Sequence, residues 1–251
     1  MKRLITILVF MLCLRLSAQH TDSTYYINYT STGTFNKTNS NSSYLYNNMF
    51  KFSTKKKDIT LNSINKWLYG EQNKELTNND FSTSLDVDLR KTFPHFYYWG
   101  LLNYNSIYSL KINNQFQSGL GVAYNIIDKN SITLNLSDGI LYDYSDLVLP
   151  NNLRDVYGTP RNSFRLLFKW TIKDRLSFNG NGFLQNSLQY KSDYIIKSDI
   201  SAALKLKKWL SLTATFSYNK MSRTQTYNLL MTYGFIIENY FGYNNEKLGK
   251  K

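Results

Sequence analysis

The feature that most constrains this chain is a repeated alternation. Residues 81–91 read FSTSLDVDLRK. Phe81, Thr83, Leu85, Val87 and Leu89 make one set; Ser82, Ser84, Asp86, Asp88 and Arg90 make the other. Successive side chains of a β-strand point to opposite faces, so one face is oily and the other polar and charged. The pattern recurs at 163–172 (SFRLLFKWTI), 176–188 (LSFNGNGFLQNSL) and 211–218 (SLTATFSY). Alternation sustained over such lengths specifies strands. Strands are expected near 25–35, 43–54, 58–69, 79–91, 96–109, 115–127, 131–143, 162–172, 175–190, 193–206, 210–220 and 226–240. That makes about twelve, within a range of ten to fourteen.

A sheet with one oily face has two solutions. In a soluble sandwich the oily faces meet; in a membrane barrel they meet lipid and the charges line the inside. Mean hydropathy is −0.41, and no apolar run of about 18 residues lies outside the N-terminus, so no transmembrane helix is available. Barrel strands are only half apolar and are compatible with that average. Sixteen per cent aromatics and only three prolines suit many extended strands.

Residues 1–19, MKRLITILVFMLCLRLSAQ, have a positive start, an apolar run and small residues at Ser17-Ala18. They read as a cleaved secretory signal peptide, leaving 20–251 as one domain. Cys13, the one cysteine, leaves with it, which excludes disulfides, thiolate nucleophiles and cysteine metal sites from the mature chain. The formal charge is +13, of which Lys2, Arg3 and Arg15 supply three, leaving +10. An exported basic protein meets no nucleic acid; the expected counter-charges are outer-membrane lipid headgroups and lipopolysaccharide phosphates.

Connection lengths favour the barrel. Even-to-odd connections are short: KKKD (55–58), KTFPHF (91–96), IDKN (127–130), IKDR (172–175) and KLKKW (205–209). Odd-to-even ones are longer, at 36–43, 70–78, 144–161 and 219–226, with YKSD (190–193) tight. Short periplasmic turns and longer outer loops are the barrel pattern. Eleven tilted residues cover roughly 26 Å, enough for an apolar band of about 25 Å. Trp67, Trp99, Trp170, Trp209 and Tyr218 fall towards strand ends, where interface aromatics belong. The expected fold is therefore all-β: a transmembrane antiparallel up-and-down barrel in the bacterial outer membrane, inserted by the outer-membrane assembly machinery as a monomer.

Asp86, Asp88, Arg90, Gln117, Arg165, Lys169, Lys197, Asp199 and Lys205 then face the lumen, with Gly119 and Gly121 beside Gln117. Lys51, Gln185 and Glu238 join them. Their modest positive excess implies weak anion preference if the pore is open; cross-pairing of the same groups would plug it. Asp138 falls on the lipid face if alternation is strict, unless a bulge near Gly139 re-aims it or it lies near the outer rim.

No catalytic set emerges. The two histidines are His20, beside the cleavage point, and His95, in a turn next to Pro94, so no lumen histidine is available to activate a serine. Asp86 and Asp88 share a strand face with Arg90, which favours ion pairing over acid–base work. GLGVAY lies within a strand and is no phosphate loop, and no metal-ligand spacing occurs, so neither cofactor nor metal is expected.

NNDFSTSLDVDLRKTFPHFYYWGLLNYN (78–105) and QSGLGVAYNIIDKNSITLNLSDGILYDY (117–144) carry a further signal. The Gly-rich strand GLGVAYNII, the turn IDKN and the strand with Asp138-Gly139 resemble the outer-membrane family known as domain of unknown function 481. Its members include proteins described as salt-induced outer-membrane proteins. The last strand ends in ENYF, as outer-membrane barrels generally do, and is followed by GYNNEKLGKK, which departs from that pattern. The resemblance implies location and fold and carries no activity. The expected function is a non-enzymatic barrel: a small-solute channel, or an envelope-integrity or osmotic-stress protein. The alternatives are a soluble periplasmic β-sandwich or lipid-binding protein, and an outer-membrane hydrolase.

Overall fold

The computed structural model describes residues 23–242, Pro94 excepted. Residues 1–22, which include the expected signal peptide and His20, and residues 243–251 lie outside the described residues. Twelve strands follow in order: β1 Ser23–Lys37, β2 Ser42–Lys56, β3 Ile59–Gln72, β4 Glu75–Phe93, β5 Phe96–Ile107, β6 Ile112–Asp128, β7 Ile132–Val148, β8 Arg154–Ile172, β9 Leu176–Ser187, β10 Tyr194–Lys207, β11 Leu210–Met221 and β12 Thr226–Gly242. Each pairs antiparallel with its sequence neighbours, and β1 pairs with β12 to close the barrel. Closure leaves no sheet edge exposed.

Cross-strand partners share a face, so the alternation of one strand propagates round the wall. Leu120 and Ile140 pair directly and are 72% and 60% exposed, while Gln117 and Leu141, of opposite parity on the same two strands, are buried. The oily set therefore faces outward on every strand, as Phe81, Leu85, Val87 and Leu89 do on β4. A belt of this size is far beyond what a soluble monomer exposes. It is the surface of a lipid-embedded barrel, and the polar set forms the interior.

The long outer loops expected from sequence are strand instead. The β7–β8 pairing runs on from Tyr142↔Pro160 to Val148↔Arg154, so only 149–153 connect them. Likewise 73–74 and 222–225 replace the longer loops expected at 70–78 and 219–226. A 19-residue strand such as β8, tilted by about 40°, rises roughly 48 Å, against a belt of about 25 Å. The walls thus continue past the belt at the end opposite the termini, here called the far end.

Asp138 keeps strict alternation. It pairs with the outward Val122 without a register shift, and Asn162 Nδ2 donates to its Oδ1 at 2.7 Å. The bulge that would have turned it inward is absent at this position. Six residues above the termini-end turn, it lies inside the belt rather than at the rim.

Candidate functional site

The sequence-derived lumen residues occupy one face. Asp86 and Asp88 on β4, Gln117 on β6, Arg165 and Lys169 on β8, and Lys197, Asp199 and Lys205 on β10 all share the inward parity. Arg90 sits at the termini-end rim, its guanidinium 3.9 Å from Asp88 and 4.6 Å from the Tyr97 ring centre. Four more charges, Lys51, Lys66, Glu238 and the deeper Arg161, join them from β2, β3, β12 and β8. Below the far mouth, Lys51, Lys66, Arg165, Lys169, Lys197 and Lys205 stand against Asp86, Asp88, Asp199 and Glu238.

The interface aromatics divide. Trp67 and Tyr218 are on the outer wall towards the far end, Trp170 on the outer wall near the termini end, and Trp209 in the exposed β10–β11 turn. Trp99 is a correction: it pairs with Asp88 and Gly121, so it points into the barrel. Its indole lies over Gly121 and Gly139, where an added Cβ would come within 2.6 and 2.4 Å of Cζ2. Only glycines leave room for that ring.

Two contacts cross the lumen. Lys66 Nζ on β3 meets Asp199 Oδ2 on β10 at 3.1 Å, five strands away round the barrel. Gln117 Nε2 on β6 donates to Gln185 Oε1 on β9 at 3.0 Å. The Lys66 and Asp199 side chains are still 40% and 43% exposed, so water reaches mid-lumen around the bridge.

The far mouth is stoppered. A 3₁₀ turn, Tyr108–Leu110, joins β5 to β6 and lies across the opening. Ser109 N and Oγ donate to Asp80 on β4 at 3.0 and 2.6 Å. From β12, Asn228 Nδ2 donates to Ser109 Oγ at 3.0 Å and Thr226 Oγ1 to the Leu110 carbonyl at 3.2 Å. Leu110 anchors a buried cluster with Ile112, Leu147, Tyr157, Ile195 and Met221. Lower on the wall that inward parity is mostly polar; here Leu147, Tyr157, Ile195 and Met221 turn it apolar together, and this inversion marks the stopper.

Ion pairs surround the cluster. Arg161 is fully buried, with Nε 2.5 Å from Asp143 Oδ2 and Nη2 2.9 Å from Asp193 Oδ2, and it donates to Tyr157 Oη at 2.7 Å. Arg223, in the β11–β12 turn, reaches Asp155 on β8 and stacks 3.8 Å from the Tyr157 ring centre. At the β7–β8 tip, Arg154 bonds both carboxylate oxygens of Asp146, at 3.0 and 2.8 Å, and holds that carboxyl below its ordinary range. Hydrogen bonds from Tyr69 and then Tyr44 do the same for Glu71 at the β3 tip. Sequence reasoning missed Lys66, Arg161, Asp143, Asp193 and the 3₁₀ turn; the parity inversion at Leu147, Tyr157, Ile195 and Met221 was the available signal.

His95 lies in the β4–β5 turn with φ 67°, its ring 6.1 Å from Tyr124, and outside the lumen. No group of three potential metal ligands occurs among the described residues. Among the described residues the inward face is lined by charged and amide side chains and carries no histidine.

Comparison with known proteins bears on this architecture. A family profile described as "Protein of unknown function, DUF481" matches residues 31–232. No curated protein matches the chain. Among solved structures, a NanC porin is similar at 8% identity, covering 86% of this chain and 99% of that one, with a TM-score of 0.50. The translocator domain of the autotransporter NalP from Neisseria meningitidis gives 11%, 96%, 95% and 0.43. An outer membrane channel from Pseudomonas putida F1 gives 11%, 88%, 97% and 0.46. At these identities the likeness is one of fold, and the porin is the comparison that carries it.

Proposed function

We propose that this chain, which belongs to the family described as protein of unknown function DUF481, is a non-enzymatic outer-membrane channel for small anions whose outer mouth is held shut. The termini end faces the periplasm and the far end the exterior. The observation that carries this reading is the pairing of a water-reached, net-positive lumen with a separable stopper. Six cations face four acids below the mouth, and one three-residue turn, fastened by Asp80, Thr226 and Asn228, lies over it. Charge that water still reaches at mid-height suits the passage of ions. The non-enzymatic reading rests on an inward face without histidine among the described residues.

The test is planar-bilayer conductance of the folded protein under a salt gradient. Wild-type protein is expected to stay mostly closed. The double variant Asp80→Ala/Asn228→Ala is expected to open in discrete steps, with a reversal potential on the anion side. A folded double variant that remains silent overturns the channel reading in favour of a closed envelope-integrity barrel. A cation-side reversal overturns the anion preference.

A further inference from the structure

The barrel's charge is unevenly shared between its ends. The termini-end rim carries Lys55, Lys56, Lys57, Arg90, Lys129, Lys173, Arg175, Lys207 and Lys208 against Asp58, Asp128 and Asp174. The far rim, by contrast, is close to balance: Lys37, Lys74, Lys111, Arg154, Lys191, Lys220 and Arg223 stand against Glu71, Glu75, Asp80, Asp146, Asp155 and Asp193, with Arg154 paired to Asp146 and Arg223 to Asp155 and Asp193. The positive excess therefore sits away from the lipopolysaccharide side.

One sector of the wall adds a second feature. On the outward face of β9–β12 a groove of about 550 Å³ opens above the termini-end turns. Ala202 and Ala214 pair directly and form its floor; Leu176, Leu204, Leu212 and Phe235 form its sides. That volume is in the range of sites that take a small ligand, about 300–1,000 Å³. Alanines amid leucines and aromatics leave a recess in the belt. Two basic turns border its lower end. Arg175 immediately precedes Leu176, and Lys207 and Lys208 follow Leu204 within four residues, with Lys205 N donating to the Arg175 carbonyl at 2.8 Å. Lys173, Arg175, Lys207 and Lys208 are exposed, and Asp174 is the one acid among them.

We infer that the groove and these two turns form a binding site for one anionic phospholipid of the inner leaflet, its acyl chain on Ala202 and Ala214 and its phosphate on the turn cations. The inference rests on the outer-membrane reading above. Charge complementarity selects the occupant: a zwitterionic lipid fills the groove equally well but leaves three net positive charges uncompensated at its mouth.

The test uses lipids with brominated acyl chains, which quench tryptophan on contact. Full-length mature protein carrying Trp67→Phe and Trp170→Phe leaves Trp209, in the β10–β11 turn beside the site, as the lipid-facing reporter, since Trp99 points inward. In vesicles of zwitterionic lipid, brominated phosphatidylglycerol is expected to quench Trp209 at about a tenfold lower mole fraction than brominated phosphatidylcholine. Lys173→Gln/Arg175→Gln/Lys207→Gln/Lys208→Gln should bring the two lipids within about twofold. So should Ala202→Phe/Ala214→Phe, which fills the groove from the lipid side and leaves the barrel interior untouched. Lys55→Gln/Lys56→Gln/Lys57→Gln, on the same rim but across the barrel at the β2–β3 turn, should change nothing. Equal quenching in the parent overturns the site, as does a preference that survives groove filling or falls equally with the β2–β3 turn variant. No quenching by either lipid removes the membrane reading itself and the site with it.

Discussion

Arg161→Met is the substitution whose cost the structure sets most sharply. Arg161 and Asp143 have no exposed side-chain surface and Asp193 has 3%. The guanidinium satisfies both carboxylates and the Tyr157 hydroxyl. Methionine refills most of the volume, so the cavity contribution is small. What remains is Asp143 buried without a cation, and Asp193 with only Arg223 at 3.7 Å. Breaking a buried pair in this way costs about 3–5 kcal/mol, or roughly 10²–10⁴-fold in the folded-to-unfolded ratio. Urea unfolding from phospholipid vesicles, followed by tryptophan fluorescence, reads this directly. The triple variant Arg161→Met/Asp143→Asn/Asp193→Asn should recover most of the loss, because neutral amides have no charge to strand. A single-variant loss under about 1 kcal/mol, or no recovery in the triple variant, would falsify the claim that a desolvated ion network holds the far mouth together.

Four further outcomes are expected. Gly121→Val should fail to give the compact, heat-modifiable band of a folded barrel on gels, because its Cβ would lie 2.2 Å from the Asp138 carbonyl and 2.6 Å from Trp99; normal folding would mean the indole can move aside. Asp138→Leu should raise the urea midpoint by the equivalent of about 1–2 kcal/mol, since it removes a carboxylate from the lipid face; a lowered midpoint would show that the Asn162 bond matters more than desolvation. Arg165→Glu/Lys169→Glu, made in the opened Asp80→Ala/Asn228→Ala background, should move the reversal potential towards cations, and an unmoved potential would place the selectivity elsewhere. Asp146 is held low by Arg154, so its contribution is present above the ordinary aspartate value of about 3.9 and is lost as pH falls through the depressed value. The thermal midpoints of wild type and Arg154→Gln should differ only slightly at pH 6, because Arg154 is well exposed, and converge at about pH 2.5; a gap that persists in acid would assign the effect to packing.

Strand count, closure and the facing of the lumen set were legible because one simple contrast, lipid outside and polar inside, repeats over every strand. It fails where that contrast fails. Beyond the belt both faces of a strand are wet, so YSDLVLPNNLRDVYGTPR reads as loop although 144–148 and 154–161 are paired. Within the stopper the contrast reverses, and Leu147 and Tyr157 look out of phase for the same reason that they matter. Trp99 was misplaced by position along the strand when its parity with Asp88 was the better guide. The cross-lumen bridge of Lys66 and Asp199 was beyond reach, since register round a closed wall decides which charges face each other across 133 residues of chain.

The closing seam has a kinetic consequence. The ends of β1 and β12 meet as Thr24↔Gly242, and Thr232 Oγ1 donates to Thr32 at 2.8 Å from 200 residues away. Every other wall contact joins consecutive strands, so hairpins can zip in order as the chain emerges, while this one waits for the last strand to arrive. Loop-closure entropy rises only slowly with length, but the two unpaired edges persist throughout that wait. The slow, aggregation-exposed step in forming this protein is therefore the meeting of its first and last strands. Substitutions along that seam should slow folding far more than they speed unfolding.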